Sequence, residues 1–192
     1  MDHRPTGHGR TGPRIVATRT LARTRIFHVQ ELELRFPNGT HVRYERLDGG
    51  GRGAVLVVPL RDPDTLLLVR EYAAGTERYE LGFPKGRIES GEDALTAAGR
   101  EMREEIGYGA RRLTALGALT IAPGYIRAHT HVVLARDLYE APLPGDEPEP
   151  PEVVPWPLDD LSGLLERPDL SEARTLAALL LTREHLRREG RG

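Results

Sequence analysis

The chain of 192 residues contains no cysteine. That excludes a disulfide scaffold, a thiolate zinc site and a cysteine nucleophile. It has little charge of either net sign: 27 basic against 29 acidic residues leave a formal −2. There is therefore no global basic field for nucleic acid. Aromatic residues make up 5%. No apolar run approaches the roughly 18–20 residues of a membrane span, and the first 13 residues carry no apolar segment of a secretory signal. A protein free of membrane and nucleic acid, working in the cytoplasm, is expected. Lysine is almost absent too: Lys85 is the one lysine, and every other basic residue is arginine.

Glycine (21) and proline (15) are abundant but fall short of a low-complexity chain. Residues 1–13 read as a flexible tail. Residues 14–48 read as a small antiparallel β subdomain. Phe27, Val29, Leu32, Leu34 and Phe36 alternate with one slip near Gln30, and Pro37-Asn38-Gly39 turns the chain toward His41–Glu45. Gly49-Gly50-Gly51 is a joint, and residues 53–189 form the main domain. Its continuous apolar run at 54–58 is a strand, Leu66–Arg70 is a second, and 78–83 is a third candidate. A helix is expected over 92–106, strands over 113–121 and 129–137, and a loop over 142–151. Helices follow at 158–166 and 170–189, the last opened by an Asp169-x-x-Glu172 capping signal and apolar nearly all round from Leu176 to Leu181. This element order is that of an α/β or α+β sandwich.

The chemistry concentrates between Gly86 and Tyr108. At 100° per residue, Glu101, Glu104 and Glu105 fall within an arc of about 100° beside the apolar stripe of Ala94, Leu95, Ala98, Met102 and Ile106. Like charges at the Glu101/Glu105 spacing cost an isolated helix ~0.2–0.5 kcal/mol. A divalent cation would reverse that sign, and clustered carboxylates suit Mg2+. Taken alone, the cluster fits better a solvated face on which Arg100 and Arg103 pair with the acids. Gly82, Gly86 and Gly91 shift the balance, because they imply a loop whose backbone approaches something closely.

The full spacing is Gly86-x5-Glu92-x7-Arg100-Glu101-Met102-x-Glu104-Glu105-x-Gly107-Tyr108. It resembles the Nudix box, the signature of hydrolases that cleave nucleoside diphosphates linked to another moiety. Tyr108 stands where that family usually has an aliphatic residue. Arg70-Glu71-Tyr72, Gly75-Thr76-Glu77, Tyr79-Glu80-Leu81-Gly82-Phe83, Pro123-Gly124-Tyr125 and the Gly145–Pro150 segment extend the likeness to ADP-compounds hydrolases of the NudE type. The likeness runs from about Thr20 to Glu189.

The resemblance implies an α/β/α sandwich around a mixed sheet and a Mg2+-dependent enzyme, with Mn2+ as the substitute ion. Such an enzyme hydrolyses ADP-ribose, diadenosine polyphosphates and NADH with release of AMP. It further implies a homodimer formed through the N-terminal sheet. In ADP-ribose hydrolases a proline follows the box by 16 residues, which falls on Pro123. In diadenosine polyphosphate hydrolases a tyrosine follows by 17–18, which falls on Tyr125. By the same resemblance Glu101, Glu104, Glu105 and the Lys85 carbonyl ligate the metal, Arg100 orients a box glutamate, and Glu92 caps or pairs near the helix start. Glu147 is the expected general base and Glu149 an auxiliary ligand, with Glu104 and Glu105 as alternative bases. Arg70 and Glu80 are candidates for gripping the phosphates, ribose or adenine. Three other functions stay open: a GDP-mannose-type nucleotide-sugar diphosphatase, a non-catalytic ADP-ribose sensor, and an RNA pyrophosphohydrolase, the last disfavoured by charge and aromatic content. The missing cysteines exclude the zinc-ribbon NADH hydrolases, and the coenzyme A motif is absent.

Overall fold

A computed structural model describes residues 11–145 and 148–190. The elements in chain order are β1 (Arg14–Arg23), β2 (His28–Arg35), β3 (His41–Asp48), β4 (Ala54–Asp62), β5 (Thr65–Ala73), β6 (Arg78–Gly82) and β7 (Lys85–Arg87). Then come α1 (Ala94–Glu105), β8 (Tyr108–Leu119), β9 (Ile126–Arg127), β10 (Thr130–Glu140), β11 (Glu152–Pro157), α2 (Leu161–Leu165) and α3 (Ala173–Arg188). The chain divides into two compact units. One holds the described residues of 1–51 with Ala122–Arg127, and the other holds the rest.

The first unit is a four-stranded sheet in the order β1-β2-β3-β9. Asn38-Gly39 closes the β2–β3 hairpin. Gly39 takes φ +86°, and the Asn38 side chain accepts from the Thr40 N–H at 3.0 Å. β1 pairs β2 with two register irregularities, and every residue of β1 is exposed. β9 runs parallel to β3, so the sheet is not antiparallel throughout.

The second unit is built on a seven-stranded mixed sheet, β11-β5-β4-β10-β8, with β6 on β5 and β7 on β4. β4 and β10 are parallel, and the other pairs are antiparallel. The period-2 alternation of the strands sorts their side chains into two cores. Val55, Val57, Val69 and Val133 pack on one face with Ala97, Ala98, Met102 and Ile106 from α1 and its end. Leu56, Val58, Leu66, Leu68 and Leu134 pack on the other with Leu164 of α2 and Ala178 and Leu179 of α3. Being buried on both faces is why β4 and β5 read as unbroken apolar runs. The result is the expected α/β/α sandwich around a mixed sheet.

Several boundaries differ from expectation for local reasons. α1 starts at Ala94 because Asp93 is its N-cap, accepting from the Thr96 N–H at 2.8 Å; Glu92 lies outside the helix. α3 starts at Ala173 behind Glu172, and Asp169 does not cap it. The Asp169 carboxylate is taken by the Arg167 fork, both bonds at 2.8 Å. α3 is apolar nearly all round at Leu176–Leu181 but not buried all round, since Leu180 is exposed while Leu179 is buried. Residues 152–157 form a strand where none was expected. β11 lies on the outer edge of β5, where Pro155 and Pro157 are tolerated.

Candidate active site

The site is built where β7 meets α1. A Cβ at Gly86 would coincide with the Glu101 carboxylate. A glycine leaves that carboxylate its place against the β7 backbone, and any larger residue would make the carboxylate move. Glu101 and Glu105 are both buried, each 9% exposed. They sit one turn apart, on the edge of the helix face that carries Ala98 and Met102 into the core.

Arg100 organises one half of the site. Its Nε and Nη2 donate to the two oxygens of Glu92, at 2.8 and 3.1 Å. Nη1 donates to Glu101 and to Glu104, both at 2.9 Å, and Nη2 also reaches the Arg87 carbonyl at 2.9 Å. The guanidinium thus binds three carboxylates and the backbone leading out of β7, a geometry that only a planar fork of donors provides. The Arg100 fork holds the Glu92 carboxyl below its ordinary range, and the acids push the Arg100 pKa up.

Glu105 is the other half, and it is held differently. Its Oε1 accepts the Lys85 N–H at 3.2 Å, while its Oε2 is buried without a hydrogen-bond partner. Burial pushes its pKa up to about 8, against the opposing pull of the Lys85 charge. The Lys85 ammonium is bound to the Glu71 carboxylate, and Glu71 in turn adds to the repulsion on Glu105.

The donor set fits a hard divalent cation. All candidate ligands are oxygens, two of the carboxylates are like charges in a poorly solvated place, and one buried oxygen has nothing bound to it. Among the described residues no three acidic or histidine side chains converge as a ready-made ligand cluster. Arg100 stands between Glu92, Glu101 and Glu104 and neutralises them.

The other expected residues are distributed unevenly. Arg70 lines a cleft of about 510 Å3 in this unit, with Glu71, Tyr72, Tyr79 and the 148–152 segment. Its guanidinium is bound to Glu152 at 2.5 Å and to Asp169 at 3.3 Å. Glu149 lies on the wall of the same cleft, where it accepts the Tyr79 hydroxyl. Glu80 does not line the cleft. Its oxygens are bound by Arg78 at 2.8 Å and by the Ser171 hydroxyl, which keeps its pKa low. Pro123 and Tyr125 belong to the first unit, where the Tyr125 carbonyl accepts the Leu47 N–H and the ring is 60% exposed. Glu147 lies outside the described residues. Sequence reasoning assigned no role to the Glu71 carboxylate or to Tyr72 and Tyr79. The one available signal was the solitary Lys85, whose ammonium has to find an acid.

A NUDIX domain model matches residues 51–180, and the chain belongs to the Nudix hydrolase family, whose members depend on divalent metal. Within that family, a model of the NudE-type Nudix hydrolase N-terminal domain matches residues 13–46. The chain is 50% identical to ADP compounds hydrolase NudE of Escherichia coli (strain K12) over 93% of its own length and 96% of the other's. It is 33% identical to an ADP-ribose pyrophosphatase of Bacillus subtilis (strain 168), over 84% and 90% of the two chains. A crystal structure of an ADP compounds hydrolase superposes with a TM-score of 0.89 at 48% identity, covering 96% of this chain and all of the other.

Proposed function

We propose that this chain hydrolyses the diphosphate linkage of ADP-linked compounds, ADP-ribose, diadenosine polyphosphates and NADH among them, and releases AMP. The names of the two relatives support the substrate class. The observation that carries the chemistry is the buried, partnerless Oε2 of Glu105 beside Glu101 and the Gly86 backbone.

Glu101, Glu104, Glu105 and the Lys85 carbonyl would hold the metal, Mg2+ with Mn2+ as substitute, and Glu149 is the auxiliary ligand. When bound, the ion supplies charge neutralisation for the diphosphate and a more acidic water. The remaining work falls to the chain. Arg100 keeps Glu101 and Glu104 in fixed orientation. Gly86 lets the backbone lie against the carboxylates. Burial pushes the Glu105 pKa up while no ion is bound, so a cation that displaces its proton would relieve that cost. Glu147 is assigned the general base by resemblance, with Glu104 and Glu105 as the alternatives. Arg70, Glu80, Pro123 and Tyr125 are assigned to substrate. The wholly exposed β1 supports a homodimer formed through the N-terminal sheet, for which sedimentation should give twice the chain mass.

The test is chromatographic detection of AMP from ADP-ribose, diadenosine triphosphate and GDP-mannose, with Mg2+, with Mn2+ and with chelator. Metal-dependent AMP from the adenylates, and little GDP-mannose cleavage, is the expected result. Preferred cleavage of GDP-mannose would transfer the enzyme to nucleotide sugars. No cleavage, with ADP-ribose still raising the melting temperature, would make it a sensor.

A further inference from the structure

Tyr72 and Tyr79 are directly paired across β5 and β6. Their rings meet edge to face, 5.7 Å between centroids and 73° between planes. Both are about half exposed, at 55% and 49%. On strands whose apolar residues are otherwise well covered, two adjacent open aromatic rings are unusual, and an edge-to-face pair leaves ring face free for a third planar group. They line the cleft of about 510 Å3, within the range of small-ligand sites.

The cleft's charge identifies what it takes. Glu71, Glu149 and Glu152 face it against the single Arg70, which is already bound to Glu152 and Asp169. A phosphate would meet repulsion there. A flat, uncharged group rich in N–H and O–H donors would find aromatic faces and carboxylate acceptors together. The Tyr79 hydroxyl donates to Glu149, so that ring is held at its pairing partner and at its tip. The cleft is also linked, through two bonds, to the buried carboxylates. Glu71 lines it and binds the Lys85 ammonium, and the Lys85 N–H is on Glu105.

We infer that the Tyr72–Tyr79 cleft is a nucleobase subsite, taking the base and ribose of a substrate whose diphosphate lies at Glu105 and Glu101. This rests on the function proposed above only for where the phosphates go. Base stacking on an aromatic ring is sequence-tolerant, so purine and nicotinamide rings are both accepted.

The test separates the two proposals. Calorimetric titration in chelator compares AMP with ribose 5-phosphate, which share the phosphate and ribose and differ in the base. The wild-type protein should prefer AMP by about tenfold or more. Tyr72→Leu and Tyr79→Leu should bring that preference toward unity, and Tyr79→Phe, which keeps the ring, should retain most of it. With Mg2+, either leucine variant should raise KM for ADP-ribose by about tenfold with kcat largely kept, the signature of lost uniform binding. Melting curves check folding. Should Tyr79→Leu unfold, Tyr72→Leu and Tyr79→Phe carry the comparison. An AMP preference that survives both leucine variants, or none in the wild type, overturns the subsite. Failure of the wild type to cleave any adenylate sinks the hydrolase function and leaves the chelated titration to decide the subsite on its own.

Discussion

Glu105 and Glu184 hold comparable positions, each in the last turns of a helix, where the helix dipole disfavours a carboxylate. Their surroundings could hardly differ more. Glu184 is half-buried and held by a fork from Arg187 and a single bond from Arg188, at 2.9 to 3.0 Å, and these lower its pKa to about 2. Glu105 is buried, keeps one oxygen without a hydrogen-bond partner, and is pushed up to about 8. One acid is satisfied by its own chain. The other keeps a costly arrangement that the fold does not need, since an acid buried with one polar oxygen unpaired lowers stability. A cost of that kind, beside Glu101 and a glycine whose Cβ would displace that carboxylate, marks a place shaped for a ligand.

The comparison breaks most sharply at Glu105→Gln. Turnover should fall at least ~10²-fold, the scale of a lost acid–base group. The melting temperature of the metal-free protein should hold at pH 7, because the amide replaces a carboxyl group that burial already favours in its neutral form and still accepts the Lys85 N–H. Thermal melts in chelator alongside AMP release check both. Lost stability with full activity would make Glu105 a structural residue, no different in kind from Glu184.

Gly86→Ala comes next in size. The new Cβ would fall on the Glu101 carboxylate, which must then leave its bond to Arg100. Because the clash is with the end of a flexible side chain, the melting temperature should change little. The displaced carboxylate should lower metal affinity by about 10–100-fold, as lost orienting contacts do. Mg2+ titration of turnover, beside a melting curve, reads the two effects separately. An unchanged Mg2+ dependence would mean that the placement of Glu101 is not what the glycine protects.

These effects also show which parts of the molecule can be read from a string of residues. The spacing of Arg100, Glu101, Glu104 and Glu105 on one helix is local, and so is the Asn38-Gly39 turn, because both follow from backbone periodicity and turn chemistry. Glu105's burial was not legible, since it depends on β7 packing against β4 and bringing the Lys85 N–H across. Tyr72 and Tyr79 become a pair only through the register of β5 with β6, and Glu149 reaches Tyr79 from 70 residues away. Asp169 reads as a capping residue, but the fork of neighbouring Arg167 takes its carboxylate, and Arg70 arrives from β5 to join it. β11 is hidden by its prolines, whose tolerance depends on its being an edge strand.

The smallest effect belongs to Glu184→Gln. The glutamate's depressed pKa contributes stability that is present above its ordinary range near 4.5 and is lost as pH falls toward about 2. At neutral pH the variant gives up only solvent-screened ion pairs with Arg187 and Arg188, which are themselves 66% and 73% exposed, and it also removes a negative charge from a helix end that disfavours one. The melting temperature at pH 7 should stay within about two degrees of the wild type, and kcat/KM should not change. Whatever difference exists at neutral pH should shrink as pH falls from about 4.5 toward about 2, where the wild-type carboxylate takes up its proton. A clear loss of stability at pH 7 would show that exposed arginine ion pairs hold α3 in place. The contrast would then lie between two structural acids, and the unpaired oxygen of Glu105 would need the activity measurement alone to set it apart.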